Sequence, residues 1–473
     1  MVTVTTRSTV RPPFGRRCAG ATFAFVLLAA CSSSKGAGPV ISPVATGDGP
    51  AVATSEAKGE GPTVASADAT VDSDPPPADS GPLAPLVCDP TGSGTDYPVG
   101  PGQTYAAIGD VPWAKLAAGD SVRIFWRDEA YHEKFLIQGQ GTQDAPIVVC
   151  GVPGPDGQLP VIDGENATVS PDMGYATVEG QGRGLIHLSL GSDDSWGDKP
   201  AYILIQGLHI RNAFYQYDYT GSDGATVPYF ENAAGIFIER GEHITVRAVE
   251  LESNGNGLFV ASGDAEETRS RDIVLERSYV HDNGTPESGP DQRHNIYTEA
   301  DGMVFQYNEI GPLAPGALGA ALKDRSAGTV VRYNRISGGS RSLDLVDAED
   351  SVPLARDDPD YHTTLVYGNV IVNDASTNGA DLSNMIHYGG DSGETDGYRK
   401  GTLYFSFTTR SSCAPTRTMQ QESVGIRPRC STSTPTTRRP SSPTTCSTCV
   451  RSRRARHRPS STGGDPPARS SSA

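Results

Sequence analysis

Six stretches decide the fold: ILIQGLHI (203–210), ITVRAVEL (244–251), IVLERSYV (273–280), MVFQYNEI (303–310), VVRYNRI (330–336) and TLVYGNVIV (364–372). Each runs through β-prone residues to a polar break, then a short apolar pair. Just after the break stand Leu208, Val249, Ser278, Asn308, Asn334 and Asn369, spaced 41, 29, 30, 26 and 35 residues apart. A unit recurring every ~20–50 residues is the mark of a solenoid. Short strands without a helical period make it a parallel β-helix. A second strand set lies between these stretches: GIFIE (235–239), GLFVA (257–261), NIYTE (295–299), AALKD (320–324) and SLDLVD (342–347). Alternation turns Leu258, Ile296, Leu322 and Leu343 inward. Asn308, Asn334 and Asn369 suit an internal ladder in which each side-chain amide bonds its neighbour, a structural role.

Composition agrees. The 473 residues are 36% hydrophobic, with 54 Gly and 36 Pro, which favours short strands and turns over long helices. A net charge of −17 argues against a nucleic-acid partner. The charge is uneven: residues 406–473 carry twelve Arg, no Lys and only two acids, Glu422 and Asp465.

At the N-terminus, Arg16 and Arg17 precede an apolar run, Ala19 to Leu28, too short to span a bilayer. It ends in Leu28-Ala29-Ala30-Cys31, which resembles a lipoprotein signal-peptidase box. The resemblance implies that residues 1–30 are a signal peptide and that Cys31 is lipidated, anchoring the chain to a membrane. Ser32 after the cysteine implies the outer membrane of a cell envelope, facing either the periplasm or the surface. Residues 31–85, rich in Ser, Gly, Ala, Pro and Asp, read as a disordered linker. The folded body is expected over 86–405, as a monomer. Cys88 and Cys150 lie within it; in an exported protein they either form a disulfide or stay as two buried thiols.

SVRIFWRDEAYHEKFLIQGQGTQDAPIVVCGVPGPDGQLPVIDGENA (121–167) resembles the first coils of pectate-lyase-like proteins. The resemblance, over residues 95–405, implies a right-handed parallel β-helix and leaves the chemistry open.

Past Phe405 the repeat stops. Ser codons of the TCN type, read one frame over, become NTC and encode apolar residues. Phe407 to Arg417 then permits His-Asn-Thr-Val-Val-Val-Arg-Ala-Asp-Ala, a fitting next coil. Residues 406–473 are therefore expected to be a disordered, out-of-frame tail, and its Cys446/Cys449 pair is not read as a zinc site.

β-Helix enzymes work on the outward face of a strand stack. Stacking the second strand set by sequence puts Phe237, Phe259, Tyr297, Ala321 and Asp344 in one outward column. Glu239, Ala261, Glu299, Lys323 and Val346 fall in the next. Asp301, Asp324, Arg325 and Asp347 lie just past strand ends, and His294 just before one. Aromatic platforms beside mixed charge suit a sugar chain, so an acidic polysaccharide is the expected partner. Uronate elimination needs a cation on the substrate carboxylate, a base for the neighbouring C–H and an acid for the leaving oxygen. Lys323 and Arg325 are candidates for the first two roles, and His294 or Tyr297 for the third. Glu299, Asp344, Phe259 and Arg341 are candidates for holding the substrate. GAALKDRSAGTVVRYNRI (319–336) also resembles the lysine-bearing coil of chondroitinase-B-like and alginate lyases. That likeness implies Lys323 as base with Arg341 assisting. The family's acidic calcium ligands are replaced here by Gly316 and Leu318, so calcium would have to use Asp344 and Asp347, with Glu349 and Asp350 nearby. Two other readings remain: a glycoside hydrolase using Asp324, Asp344 and Asp347, and a glycan-binding or envelope protein without catalysis. Lys323 beside Glu299 could also be an ordinary ion pair across coils.

Overall fold

The computed structural model describes residues 87–287, 289, 291–372 and 384–406. The expected signal segment, Cys31, the expected linker and the tail beyond Ser406 lie outside the described residues. Within them the chain is a parallel β-helix, with three sheets of ten, eleven and seven strands. From Ile147–Val152 onward each coil visits the sheets in a fixed order. Glu242–Arg247 lies in the ten-stranded sheet, Glu250–Glu252 in the seven-stranded one and Asn256–Val260 in the eleven-stranded one; Arg271–Glu276 then returns beside Glu242–Arg247. Apart from the pair Asp218–Thr220 and Thr226–Pro228, every pairing between named strands is parallel.

The polar break in the repeat is the corner between the first two sheets. One residue per coil there has positive φ: Gly207 (+68°), Ala248 (+49°), Arg277 (+53°), Tyr307 (+59°), Tyr333 (+57°) and Gly368 (+67°). A left-handed residue turns the chain sharply at roughly 1–2 kcal/mol when it carries a side chain. At Gly368 a Cβ would also meet the Tyr333 ring at 2.5 Å. The bend turns the next residue inward, so Leu208, Val249, Ser278, Asn308, Asn334 and Asn369 are all buried.

There the asparagines form the expected ladder. Asn308 Nδ2 donates to Asn334 Oδ1, and Asn334 Nδ2 to Asn369 Oδ1, each at 3.0 Å. The same oxygens accept the backbone N–H of Asn308 and Asn334 at 2.9 Å. Corner amides that a strand ladder cannot reach are thereby satisfied. A second ladder, absent from the sequence reading, joins Asn254, Asn283 and Asn295 at the next corner.

Leu258, Ile296, Leu322 and Leu343 are fully buried and stacked in register. At the entry, Trp113 stacks on Phe135 at 4.4 Å, and a disulfide joins Cys88 to Cys150 across 62 residues. At the other end Arg399 reaches inside the coil and meets Asp324, both without solvent exposure.

Candidate active groove

One outward column of the eleven-stranded sheet carries the site. Its register is His187, Phe237, Phe259, Tyr297, Lys323, Asp344 and His387. This corrects the sequence-based stacking by two residues: Lys323, and not Ala321, continues the aromatic column. Ala321 is buried and gives no mark of where the column runs. Phe237, Phe259 and Tyr297 stack face to face at 4.8 and 4.6 Å, the spacing that neighbouring strands impose. Beside them opens a groove of about 1260 Å³, lined among others by Phe259, His294, Tyr297, Lys323, Arg325 and Arg341.

The charged end is a network centred on two carboxylates. Asp344, itself a member of the column, is buried. Its oxygens face Arg341 Nη1 (3.0 Å), His387 Nδ1 (2.7 Å) and Lys323 Nζ (3.8 Å). Burial works against its charge, but these neighbours hold its pKa below the ordinary value. Asp391 caps the cluster from the loop after Asn384–Tyr388. It meets Lys323 at 2.7 Å, Arg341 at 3.1 Å and Arg325 at 3.5 Å. Burial opposes its charge too, yet Lys323 and Arg341 hold it well below the usual carboxylate range. Sequence reasoning missed both His387 and Asp391.

Several sequence-based expectations are corrected. Glu299 does not line the groove. Its buried carboxylate accepts the backbone N–H groups of Glu349, Asp350 and Ser351 and the Ser351 hydroxyl, pinning that turn. Lys323 therefore pairs with Asp391 and Asp344, not with Glu299. Asp324 points inward, bonded to the hydroxyls of Thr298 (2.8 Å) and Thr329 (2.6 Å). Asp347 spends its carboxylate on the backbone of Asp391 and on Ser392. With Asp324 and Asp347 both buried as structural acceptors, paired-carboxylate hydrolysis by these residues loses its footing. The calcium expectation at Asp344 and Asp347 also fails: one faces three cationic or cation-forming side chains, and the other is saturated by donors. Among the described residues, potential ligand atoms of Glu252, His281 and Asp282 lie within 4.8 Å of one another, on the seven-stranded sheet away from this groove. His281 there already bonds Asp282 and Glu250.

Arg325 cannot be a base. Burial opposes its charge, but Tyr297, Glu349 and Glu299 outweigh that and raise its pKa. It binds Glu349 at 2.7 Å and the Asp347 carbonyl at 2.5 Å, while its buried Nε has no partner among the described residues. Tyr297 donates its hydroxyl to Glu349 at 3.2 Å, and burial keeps that hydroxyl protonated.

His294 is not a proton-donating imidazolium either. Its Nδ1 accepts the Ala320 N–H at 2.8 Å, so the ring proton sits on Nε2. Burial, with Lys323 nearby, pushes its pKa down to about 3. The unfolded chain takes up this proton below pH ~6.5, whereas the folded chain refuses it until near 3. The group therefore lowers stability as pH falls through that window, by about 1.4 kcal/mol per pH unit, and has no effect above it. His294→Asn can offer an amide oxygen to Ala320. It is expected to flatten the stability–pH slope by one proton between pH ~6 and ~4. An unchanged slope in denaturant titrations would contradict this.

No known family and no curated protein matches the sequence. Among solved structures the chain is similar to an alginate lyase from Paenibacillus, 13% identical with a TM-score of 0.34, over 55% of this chain and 72% of that one. It is also similar to pectate lyase Pel9A, 12% identical with a TM-score of 0.35, over 69% and 80% of the two chains. The pectin methylesterase PemA of Erwinia chrysanthemi gives 12% identity and a TM-score of 0.34, over 69% and 92%. Such slight likeness says nothing of this chain's chemistry.

Proposed function

We propose that this groove binds an acidic polysaccharide. Sugar rings would lie against the outward edges of Phe259 and Tyr297, whose faces stack on each other, with a uronate carboxylate held by Lys323, Arg325 and Arg341. The observation that carries the reading is Asp391: three cations, Lys323 and Arg325 from one coil and Arg341 from the next, already converge on one carboxylate. Charge-assisted bonds of this kind are the strong ones.

A specific contact favours β-elimination within this reading. His387 and Lys323 approach opposite oxygens of Asp344, at 2.7 and 3.8 Å. With His387 Nδ1 turned to Asp344, Nε2 is left as the acceptor, as in other His–carboxylate dyads. Nε2 would take the proton next to the uronate carboxyl. The electron pair would form the ring double bond, the glycosidic C–O bond would break, and the Lys323 ammonium would protonate the departing oxygen. The Lys323 ammonium has three N–H donors, so in this scheme it holds the carboxylate together with Arg325 and Arg341 and also serves as acid to the neighbouring leaving oxygen.

The assay is absorbance of the unsaturated uronate on alginate, pectate and chondroitin. Product that disappears in His387→Asn, with binding retained, supports elimination. Binding without product on any substrate leaves a glycan-binding protein and removes the lyase reading.

Attachment to the cell envelope through a lipid on Cys31 belongs to the same proposal. A chain with Cys31→Ser is expected to leave the membrane fraction and lose acyl labelling, since the attached acyl chains supply the anchoring energy. Unchanged retention on fractionation would contradict it.

A further inference from the structure

A second pocket lies on the same sheet, four strands from Lys323 and so about 19 Å along the helix axis. It encloses about 540 Å³, and its lining includes Tyr175, Arg183, His187, Trp196, Glu239 and Arg240. His187 belongs to the same outward column as Lys323 and meets Phe237 edge-on at 5.5 Å. Arg183 lies over the Phe237 ring, at the junction of the pocket with the aromatic stripe.

Unsatisfied donors and acceptors set this pocket apart. Among the described residues, only six buried side-chain polar atoms lack a hydrogen-bond partner, and three of them belong to residues lining it: Tyr175 Oη, His187 Nδ1 and Arg240 Nε. Buried polar groups are nearly always paired, so three orphans around one cavity call for a polar ligand. Their chemistry can be read individually. Glu239 accepts from His187 Nε2 at 3.1 Å and from the Ser189 hydroxyl at 2.9 Å. Bonding to His187, against the opposing effect of burial, brings its pKa down to about 2, so it is an acceptor only. His187 Nε2 must then carry the ring proton. Burial lowers the imidazole's own pKa, leaving Nδ1 as a bare lone pair. A lone pair at His187, a guanidinium N–H at Arg240 and a phenol at Tyr175 together ask for a ligand that both donates and accepts. Hydroxyl groups do both. Trp196, 61% exposed, adds an aromatic surface beside Arg240, whose guanidinium carbon lies 4.5 Å from the ring centre.

We propose that this pocket is a distal saccharide subsite, taking one hydroxyl-rich ring of the glycan whose carboxylate sits at Lys323. The inference rests on the proposed function for its ligand, but on its own residues for its chemistry. Trp196 packs the ring, and His187, Tyr175 and Arg240 bond its hydroxyls. The stretch of stacked aromatics between the two pockets sets a minimum chain length: a disaccharide reaches one pocket, and a long oligomer reaches both.

Calorimetric titration with oligogalacturonates and oligoalginates, from disaccharide to octasaccharide, tests this on the full chain and on Trp196→Ala, His187→Phe and Lys323→Gln. Trp196 is at the surface, so its replacement spares the core, and a circular dichroism spectrum checks each fold. The octasaccharide should bind wild type at least about tenfold tighter than the disaccharide, the worth of one or two net hydrogen bonds. Trp196→Ala and His187→Phe should lose that gain and keep disaccharide affinity. If both variants bind the octasaccharide as wild type does while Lys323→Gln does not, the subsite is refuted and the proposed function stands. If Trp196→Ala abolishes long-chain binding and Lys323→Gln leaves it intact, the pocket stands and the Lys323 groove does not. Absence of binding at every length overturns both.

Discussion

Replacing Arg399 by Met is expected to destabilise the protein by about 3–5 kcal/mol, the usual penalty for removing one partner of a buried ion pair. Arg399 and Asp324 are both fully buried inside the last coils. The guanidinium donates to the carbonyls of Val346 (2.6 Å), Ser326 (2.7 Å) and Asp324 (3.2 Å), and to the Asp324 carboxylate (3.2 Å). Met fills comparable volume but supplies none of these donors. It leaves three carbonyls and one carboxylate in a site water cannot reach. Among the described residues, Thr298 and Thr329 would be the only hydrogen-bond donors left to the Asp324 side chain. Adding Asp324→Asn should recover part of the loss by removing the orphaned charge, so the two changes should be strongly non-additive. Urea unfolding reads both quantities. A loss under ~1 kcal/mol for Arg399→Met, or simple additivity, would show that the pair does not seal this end.

Lys323→Gln is expected to weaken acidic-glycan binding roughly 10- to 100-fold, the worth of one charge-assisted hydrogen bond of about 1.5–3 kcal/mol. Asp391→Asn should act in the opposite sense. It removes the internal carboxylate that Lys323, Arg325 and Arg341 already hold, freeing them for a substrate carboxylate. Both effects should shrink as salt rises. Titration of oligouronates at two ionic strengths measures them. Weaker binding by Asp391→Asn would mean that this carboxylate supports the ligand and does not compete with it.

The coil architecture was legible because it repeats. Leu258, Ile296, Leu322 and Leu343 mark an alternation that admits one inward face, and Asn308, Asn334 and Asn369 mark a corner with spare amides. The second ladder escaped because Asn283 and Asn295 are only 12 residues apart, linked across a corner and not from coil to coil. In the groove, the aromatic column could be read, but Lys323 was placed two residues out of line. Gly319-Ala320-Ala321 carries no large side chain to fix the register. His387 was readable in principle from Asn384–Tyr388, where Ile386 aligns with Leu343. Asp391 was not, since its role depends on a loop folding back over three cations. Glu299 and Asp347 looked like site carboxylates by type. Only three-dimensional placement shows them pinning backbone turns.

The most direct test of carboxylate recognition compares one oligouronate with its carboxyl-reduced counterpart, which keeps ring, linkage and hydroxyls and loses only the charge. Calorimetry on the wild-type chain should show binding of the uronate that falls at least about tenfold on reduction. In Lys323→Gln the difference between the two ligands should largely vanish. Equal affinity of wild type for the charged and reduced oligomers would contradict the assignment of Lys323, Arg325 and Arg341 as a carboxylate-binding cluster.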